Sequence, residues 1–146
     1  MRITLIINNL TFLVSHRMKV VEALTRNGYL VSVVCGNVLT SREHYAEVRL
    51  RALGVVIFRT PLNSRSTNVL REFYALFMAI KTIYVSRPEI IHGISPKGVL
   101  YASVIGILFR RPKLVLSFSG LGSLYTRQSI LFYVLRFIYE SILSFS

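Results

Sequence analysis

Apolar and polar residues alternate along this chain in blocks of two sizes. Short runs rich in branched aliphatic residues read as buried strands: Arg2–Ile7, Tyr29–Cys35, Val55–Arg59, Ile90–His92 and Leu114–Phe118. Between them lie longer segments with helical spacing: His16–Asn27, a polar segment from Thr40 or Ser41 to about Leu53, Val69–Ser86 and Gly98–Phe109. Polar punctuation agrees with this division. Ser15 can cap the first helix after a loop at Thr11–Ser15, and Asn68 can cap the third. Gly28 and Gly54 follow helix ends. Pro88 has no N–H to give a helix and disfavours helix in the residue before it, so the third helix must stop there.

Strand and helix thus alternate five times, which predicts a parallel sheet of about five strands with helices on both faces. The expected fold class is α/β: a doubly wound, Rossmann-like domain spanning residues 1–146, with ligands received at the carboxyl ends of the strands. The last unit has a glycine loop, Ser119–Ser123, and then Ser129–Ser144, a helical pattern that is apolar nearly all round. Such a helix needs burial on several sides, against further polypeptide, a partner or a membrane.

Charge narrows the chemistry. There are 18 Lys and Arg against 6 acidic residues, a net charge of +12, and every acid is glutamate. Without aspartate there can be no Asp-x-Asp metal site, and scattered glutamates do not make a hard-cation cage. The positive balance favours anionic partners such as phosphates or anionic lipid. Arg42, Arg49 and Arg51 make the second helix basic without aromatic interleaving, which reads as a solvated face and not as a nucleic-acid interface. One cysteine, Cys35, permits no internal disulfide. His16, His44 and His92 lack metal-ligand spacing. No secretory signal opens the chain, and the best uncharged runs, Gly98–Phe109 and Leu114–Thr126, contain glycines and fall short of the about 18 apolar residues a transmembrane helix needs.

Candidate functional residues follow from the loops expected at the strand ends. After the first strand come Asn8, Asn9, Ser15, His16 and Arg17: amides for hydroxyl groups, and an arginine beside a helix N-terminus that can join the helix dipole in holding an anion. Capping and surface charge account for the same residues. Arg65 and Asn68 stand in the same relation to the third helix. After the fourth strand, His92 can serve as a general base or as a satisfied interior histidine, while Ser95 and Lys97 precede a helix, where Lys97 suits an anionic group. Gly120 and Gly122 allow close backbone approach to a ligand or make a tight turn. Gly-x-Gly-x-x-Gly is missing from the first loop, as is the phosphate-binding Gly-x-x-x-x-Gly-Lys-Ser/Thr pattern.

In order along the chain stand Asn8-Asn9 with Phe12; Ser15-His16-Arg17; Pro61-Leu62 with Arg65-Ser66-x-Asn68-x-x-Arg71-Glu72; Arg87-Pro88-Glu89-Ile90-Ile91-His92; Lys97-x-x-Leu100-Tyr101; and Ser119-Gly120-Leu121-Gly122. Their order and spacing resemble the N-terminal half of family 4 glycosyltransferases of the GT-B fold, in particular the subgroup of bacterial surface-polysaccharide assembly (O-antigen or capsule). The resemblance implies an acceptor-side domain of a transferase that takes a sugar from a nucleotide-sugar donor. It implies a lipid-diphosphate-linked glycan as acceptor, at the inner face of the cytoplasmic membrane. It implies no metal and no cofactor beyond the nucleotide-sugar substrate, no nucleic acid, and a peripheral cytoplasmic location on an anionic membrane surface. Three positions depart from the pattern. Ile94 stands where many members have a second histidine near the reacting hydroxyl, Gly98 stands where the subgroup often has proline, and the C-terminal donor-binding domain is absent from these residues. The expectation is an acceptor-binding half that is inactive alone and completed by a separate donor-domain polypeptide if the enzyme is split. The reading from another class is a non-catalytic basic module for membrane surfaces or polyanions.

Overall fold

The structure, a computed structural model, describes residues 1–38, 40–62, 69–109 and 111–117. Its elements run β1 (Arg2–Ile6), α1 (Leu10–Arg26), β2 (Leu30–Gly36), α2 (Ser41–Ala52), β3 (Val56–Thr60), α3 (Val69–Ser86), β4 (Ile90–Ile94), α4 (Pro96–Phe109) and β5 (Lys113–Ser117). All strand pairs are parallel, in the order β3-β2-β1-β4-β5. The fold is α/β and doubly wound, as the alternation predicts. The proposed fifth helix, Ser129–Ser144, and the glycine loop Ser119–Ser123 lie outside the described residues.

Period-2 alternation along β1 sorts the core onto two faces. Ile3, Leu5 and Ile7 join Leu10, Leu13 and Val21 of α1 and Ala46 and Leu50 of α2. Ile6 turns the other way, to Ala75, Ala79 and Ile83 of α3 and Tyr101, Ala102 and Ile105 of α4. A strand with helices over both faces needs apolar residues at every position. β1 meets this requirement except at its exposed first residue, Arg2, and at Thr4, whose hydroxyl is 2.8 Å from that of Ser32 on β2. Burying a side chain such as Leu5 or Ile6 contributes about 1.5–3 kcal/mol.

Two local expectations change. The first helix begins at Leu10 and not after Ser15: Asn9 is its cap, its side chain accepting from the Phe12 N–H. Ser15 sits inside the helix, where its hydroxyl donates back to the carbonyls of Thr11 and Phe12. The fourth strand also continues past His92 through Gly93 and Ile94, which pair with β5, and Gly93 pairs with Ile6 of β1 as well. The polar loop expected there shrinks to Ser95, held at φ 75°, and Pro96 starts α4, a position where its missing N–H costs nothing.

Glycines make this tight turn possible. A Cβ on Gly93 would lie 2.8 Å from the Ala102 side chain and the Gly98 carbonyl oxygen, and a Cβ on Gly98 would overlap the Ile6 carbonyl oxygen. Helix α4 therefore lies almost against the backbone of β4 and β1. Gly98→Ala is expected to push α4 off the sheet and to destabilise the domain by about 1–3 kcal/mol, read as a lowered midpoint in urea unfolding.

Candidate functional site

The strand order reverses direction between β1 and β4, so the crevice of a doubly wound sheet opens at their carboxyl ends. Asn8 and Ser95 stand there, each two residues past the paired positions Ile6 and Gly93. The backbone around Asn8 is fixed: its carbonyl accepts from the Gly36 N–H at 3.0 Å, and a Cβ on Gly36 would collide with the carbonyls of Leu62 and Asn8. Yet the side-chain oxygens Asn8 Oδ1 and Ser95 Oγ are buried with no hydrogen-bond partner among the described residues, and the same is true of Arg17 Nε on α1. A buried polar atom left unpaired costs about 1–3 kcal/mol, so the two such atoms at this crevice, with a third on α1, call for a ligand or solvent to complete them.

Arg17 also reaches His92 electrostatically. Burial pushes the His92 ring below the ordinary histidine pKa, and the positive charge of Arg17 pushes it further. His92 Nε2 lies 2.7 Å from Ser117 Oγ on the neighbouring strand β5. Burial thus favours the neutral ring, which sits in mid-strand held by a side chain and not by the backbone.

A buried glutamate replaces the helix-dipole role expected near Arg17. Arg17 is well inside α1, and the helix N-terminus is already occupied: Glu43 of α2 accepts from Leu10 N–H at 3.0 Å, Thr11 N–H at 2.8 Å and the Thr11 hydroxyl at 2.6 Å. Glu43 is 2% exposed. Arg59 of β3 approaches it at 3.9 Å while binding Glu47 through Nε and Nη2, at 3.1 and 2.5 Å, and the Gly36 carbonyl through Nη1. An anion that would use the α1 dipole finds an internal carboxylate in its place.

Lys97 is likewise engaged. It lies in the first turn of α4, and its ammonium is 2.7 Å from Glu72 Oε1 on α3, whose other oxygen accepts from the Tyr101 hydroxyl at 2.9 Å. Burial, then the bond to Glu72, pushes the Tyr101 phenol well above its usual range. A ligand anion must compete with Glu72 for Lys97. His16 is exposed, stacked on Phe12 with ring centroids 4.3 Å apart, and its Nδ1 is 2.6 Å from the Ser15 hydroxyl. Arg65, Asn68, Gly120 and Gly122 lie outside the described residues. The structure thus brings Asn8, Ser95, Arg17 and His92 to the central strands and their ends, while Lys97 turns to α3.

Sequence reasoning missed Glu43, Arg59 and Ser117, and held Glu72 only as part of the Arg71-Glu72 pair in the family pattern, with no role assigned to it. For Glu43 a signal existed: Thr40-x-x-Glu43 is a capping-box spacing, and Thr40 Oγ1 does accept from the Glu43 N–H. The carboxylate, however, reaches α1 and not back to its own cap. Among the described residues no cluster of three or more His, Cys, Asp or Glu could hold a metal, and no helix is long and apolar enough to cross a membrane.

The charge network makes an acid-stability prediction. Hydrogen bonds from Arg59, and then from Arg51, hold the Glu47 carboxyl below its ordinary pKa of 4.5. A lowered folded-state pKa contributes stability that is fully present above that value and is lost as pH falls through the folded one. The stability difference between the wild type and Glu47→Gln should be flat near neutrality and vanish on acidification, as measured by denaturant unfolding across pH.

Comparison with solved structures places the fold. Acinetobacter baumannii MurG superposes with a TM-score of 0.61 at 11% identity, over 94% of this chain and 39% of that one. CalG4, the calicheamicin glycosyltransferase, gives 0.59 at 14% identity, over 97% and 42%. The hydratase GalB from Pseudomonas putida KT2440 gives 0.54 at 12% identity, over 80% and 62%, so the shared fold alone does not name a reaction. The chain spans about two fifths of the length of the two glycosyltransferases, in the manner of one half of a GT-B fold. No curated protein gives a significant sequence match. The sequence profile of the glycosyl transferase 4-like family matches residues 2–146, and the chain belongs to that family as a GT-B N-terminal domain.

Proposed function

We propose that this domain binds the acceptor of a glycosyltransferase, a lipid-diphosphate-linked glycan of surface-polysaccharide assembly. In this reading the nucleotide-sugar donor is held by a second lobe, on a continuation of this chain or on a separate polypeptide. The observation that carries it is the set of unpaired buried atoms: Asn8 Oδ1 and Ser95 Oγ at the β1–β4 crevice, and Arg17 Nε on α1 within electrostatic reach of His92. Asn8 Oδ1 accepts from a sugar hydroxyl, Ser95 Oγ both donates and accepts, and Arg17 supplies a guanidinium for a phosphate oxygen. Because Glu43 fills the α1 N-terminus, the diphosphate depends on Arg17, with Lys97 shared with Glu72. His92 forms a wall of the crevice and orients its neighbours. Net charge of +12 supports both an anionic acceptor and a peripheral place on the inner face of the cytoplasmic membrane.

Titration calorimetry with a short-chain polyprenyl diphosphate sugar tests the assignment. Arg17→Ala should weaken binding roughly tenfold to a hundredfold, the worth of a charge-assisted hydrogen bond. Ser95→Ala should weaken it less, and a nucleotide sugar should bind poorly to these residues alone. Binding untouched by Arg17→Ala overturns the assignment and points to a basic surface with diffuse polyanion affinity.

A further inference from the structure

Helices α3 and α4 each follow a parallel strand, so both begin at the carboxyl edge of the sheet. One carboxylate joins their first turns. Glu72, in the first turn of α3, places Oε1 2.7 Å from Lys97 Nζ, and its Oε2 accepts from the Tyr101 hydroxyl at 2.9 Å. Tyr101 lies one turn beyond Lys97 on α4, so an ammonium and a hydroxyl from one helix face converge on the same group. Burial, and then Glu72, keeps the phenol protonated, which makes it a donor. Ser95, just before α4, is 7% exposed, and its Oγ has no partner among the described residues. That oxygen lies against the same first turn, 3.3 Å from where a Cβ on Gly98 would stand. Two helix N-termini, an ammonium, a phenol and an unpaired buried hydroxyl suit an anion, and the anion already there is a side chain of the protein.

Glu72 differs from the domain's other inward carboxylate. Glu43 is 2% exposed and holds three donors, so it cannot leave. The Lys97 and Glu72 side chains keep 23% and 26% of their surface exposed, so an incoming ligand can reach the pair and solvent can receive the displaced carboxylate. Being tethered, Glu72 competes at an effective concentration that a dilute monoanion does not match. A neutral glycan leaves the contact intact. A phosphate or diphosphate brings more charge and several acceptor oxygens, enough to take both donors. Specificity is a difference of affinities, and an internal competitor raises the charge a ligand needs. We infer that Glu72 is a specificity-determining residue: its carboxylate occupies Lys97 and the Tyr101 hydroxyl, and yields them only to a phosphate-bearing ligand. This rests on the reading of an anionic acceptor at the crevice, and adds to it what selects that acceptor.

Calorimetry with inorganic diphosphate tests the exchange without any glycan. Glu72→Gln keeps the shape of the side chain and an acceptor for Tyr101 but removes the charge. It should tighten diphosphate binding roughly fivefold or more. Lys97→Met should weaken binding in the wild type and cancel that gain in the double variant. Affinity unchanged or weakened in Glu72→Gln overturns the inference, and Glu72 then serves only to tie α3 to α4. A gain that survives Lys97→Met overturns it in favour of net charge, and absence of diphosphate binding in every variant overturns it outright. If Glu72→Gln does not fold, the wild type decides by carbon-13 resonances: the Glu72 carboxyl and the Tyr101 ring carbon bearing the hydroxyl should shift on saturation with diphosphate, and unmoved resonances overturn the exchange. The two readings fail separately. A polyprenyl diphosphate sugar bound through Arg17, with no gain from Glu72→Gln, removes only this inference. A gain through Lys97 with the lipid-linked sugar indifferent to Arg17→Ala removes only the acceptor assignment.

Discussion

The Glu43 carboxylate is the interaction on which the working end of this domain depends. It comes from α2, is buried, and accepts hydrogen bonds from two N–H groups and a hydroxyl in the first turn of α1. A helix N-terminus presents unpaired donors and a partial positive charge, and burying it without an acceptor is costly. Glu43 meets that need from another helix, so α1, α2 and the chain leaving β1 are held as one unit. Arg59 then lies beside both Glu43 and Glu47 and binds the carbonyl of Gly36, tying β2 and β3 to the same network. Removing the carboxylate would strand three donors in the interior together with part of the charge on Arg59.

This clamp also decides what the site can hold. In many doubly wound domains the first helix offers its dipole to a ligand phosphate. Here that place is taken, and no Gly-x-Gly-x-x-Gly turn precedes it. What stays unpaired lies on either side: Asn8 and Ser95 at the strand ends, and Arg17 farther along α1. A crevice with one arginine, one amide oxygen and one hydroxyl suits a ligand that combines hydroxyl groups with an anionic group. The opposite sheet face shows a similar economy. Tyr101 and Lys97 converge on Glu72, which turns the one acid of α3 inward and leaves its outer face apolar and basic.

Much of the architecture was legible in the order of residues. Five apolar runs separated by helical segments lead to a parallel sheet, because strands buried on both faces need continuous apolar runs and parallel neighbours need crossovers. The α3 boundaries follow from Pro88 downstream and helical spacing within. Where local reading failed, the competing choices were close in energy. Asn9 and Ser15 are both good caps, and only the contact with Glu43 settles that α1 starts at Leu10. Gly93 reads as loop material, but the approach of α4 requires a residue without a side chain within the strand.

The sequence by itself determined the α/β class, the strand count among the described residues, the positive charge and the loops from which a site could be built, because these follow from periodicity and side-chain chemistry over short distances. Only the tertiary structure decided which polar groups were already matched. Lys97 with Glu72, His92 with Ser117 and the first turn of α1 with Glu43 are pairings over 25 to 33 positions. Contacts at that separation depend on how helices and strands are stacked, which local propensity does not encode. The same stacking left Asn8 Oδ1, Arg17 Nε and Ser95 Oγ unpaired among the described residues, and turned the aromatic side of α3 away from the sheet.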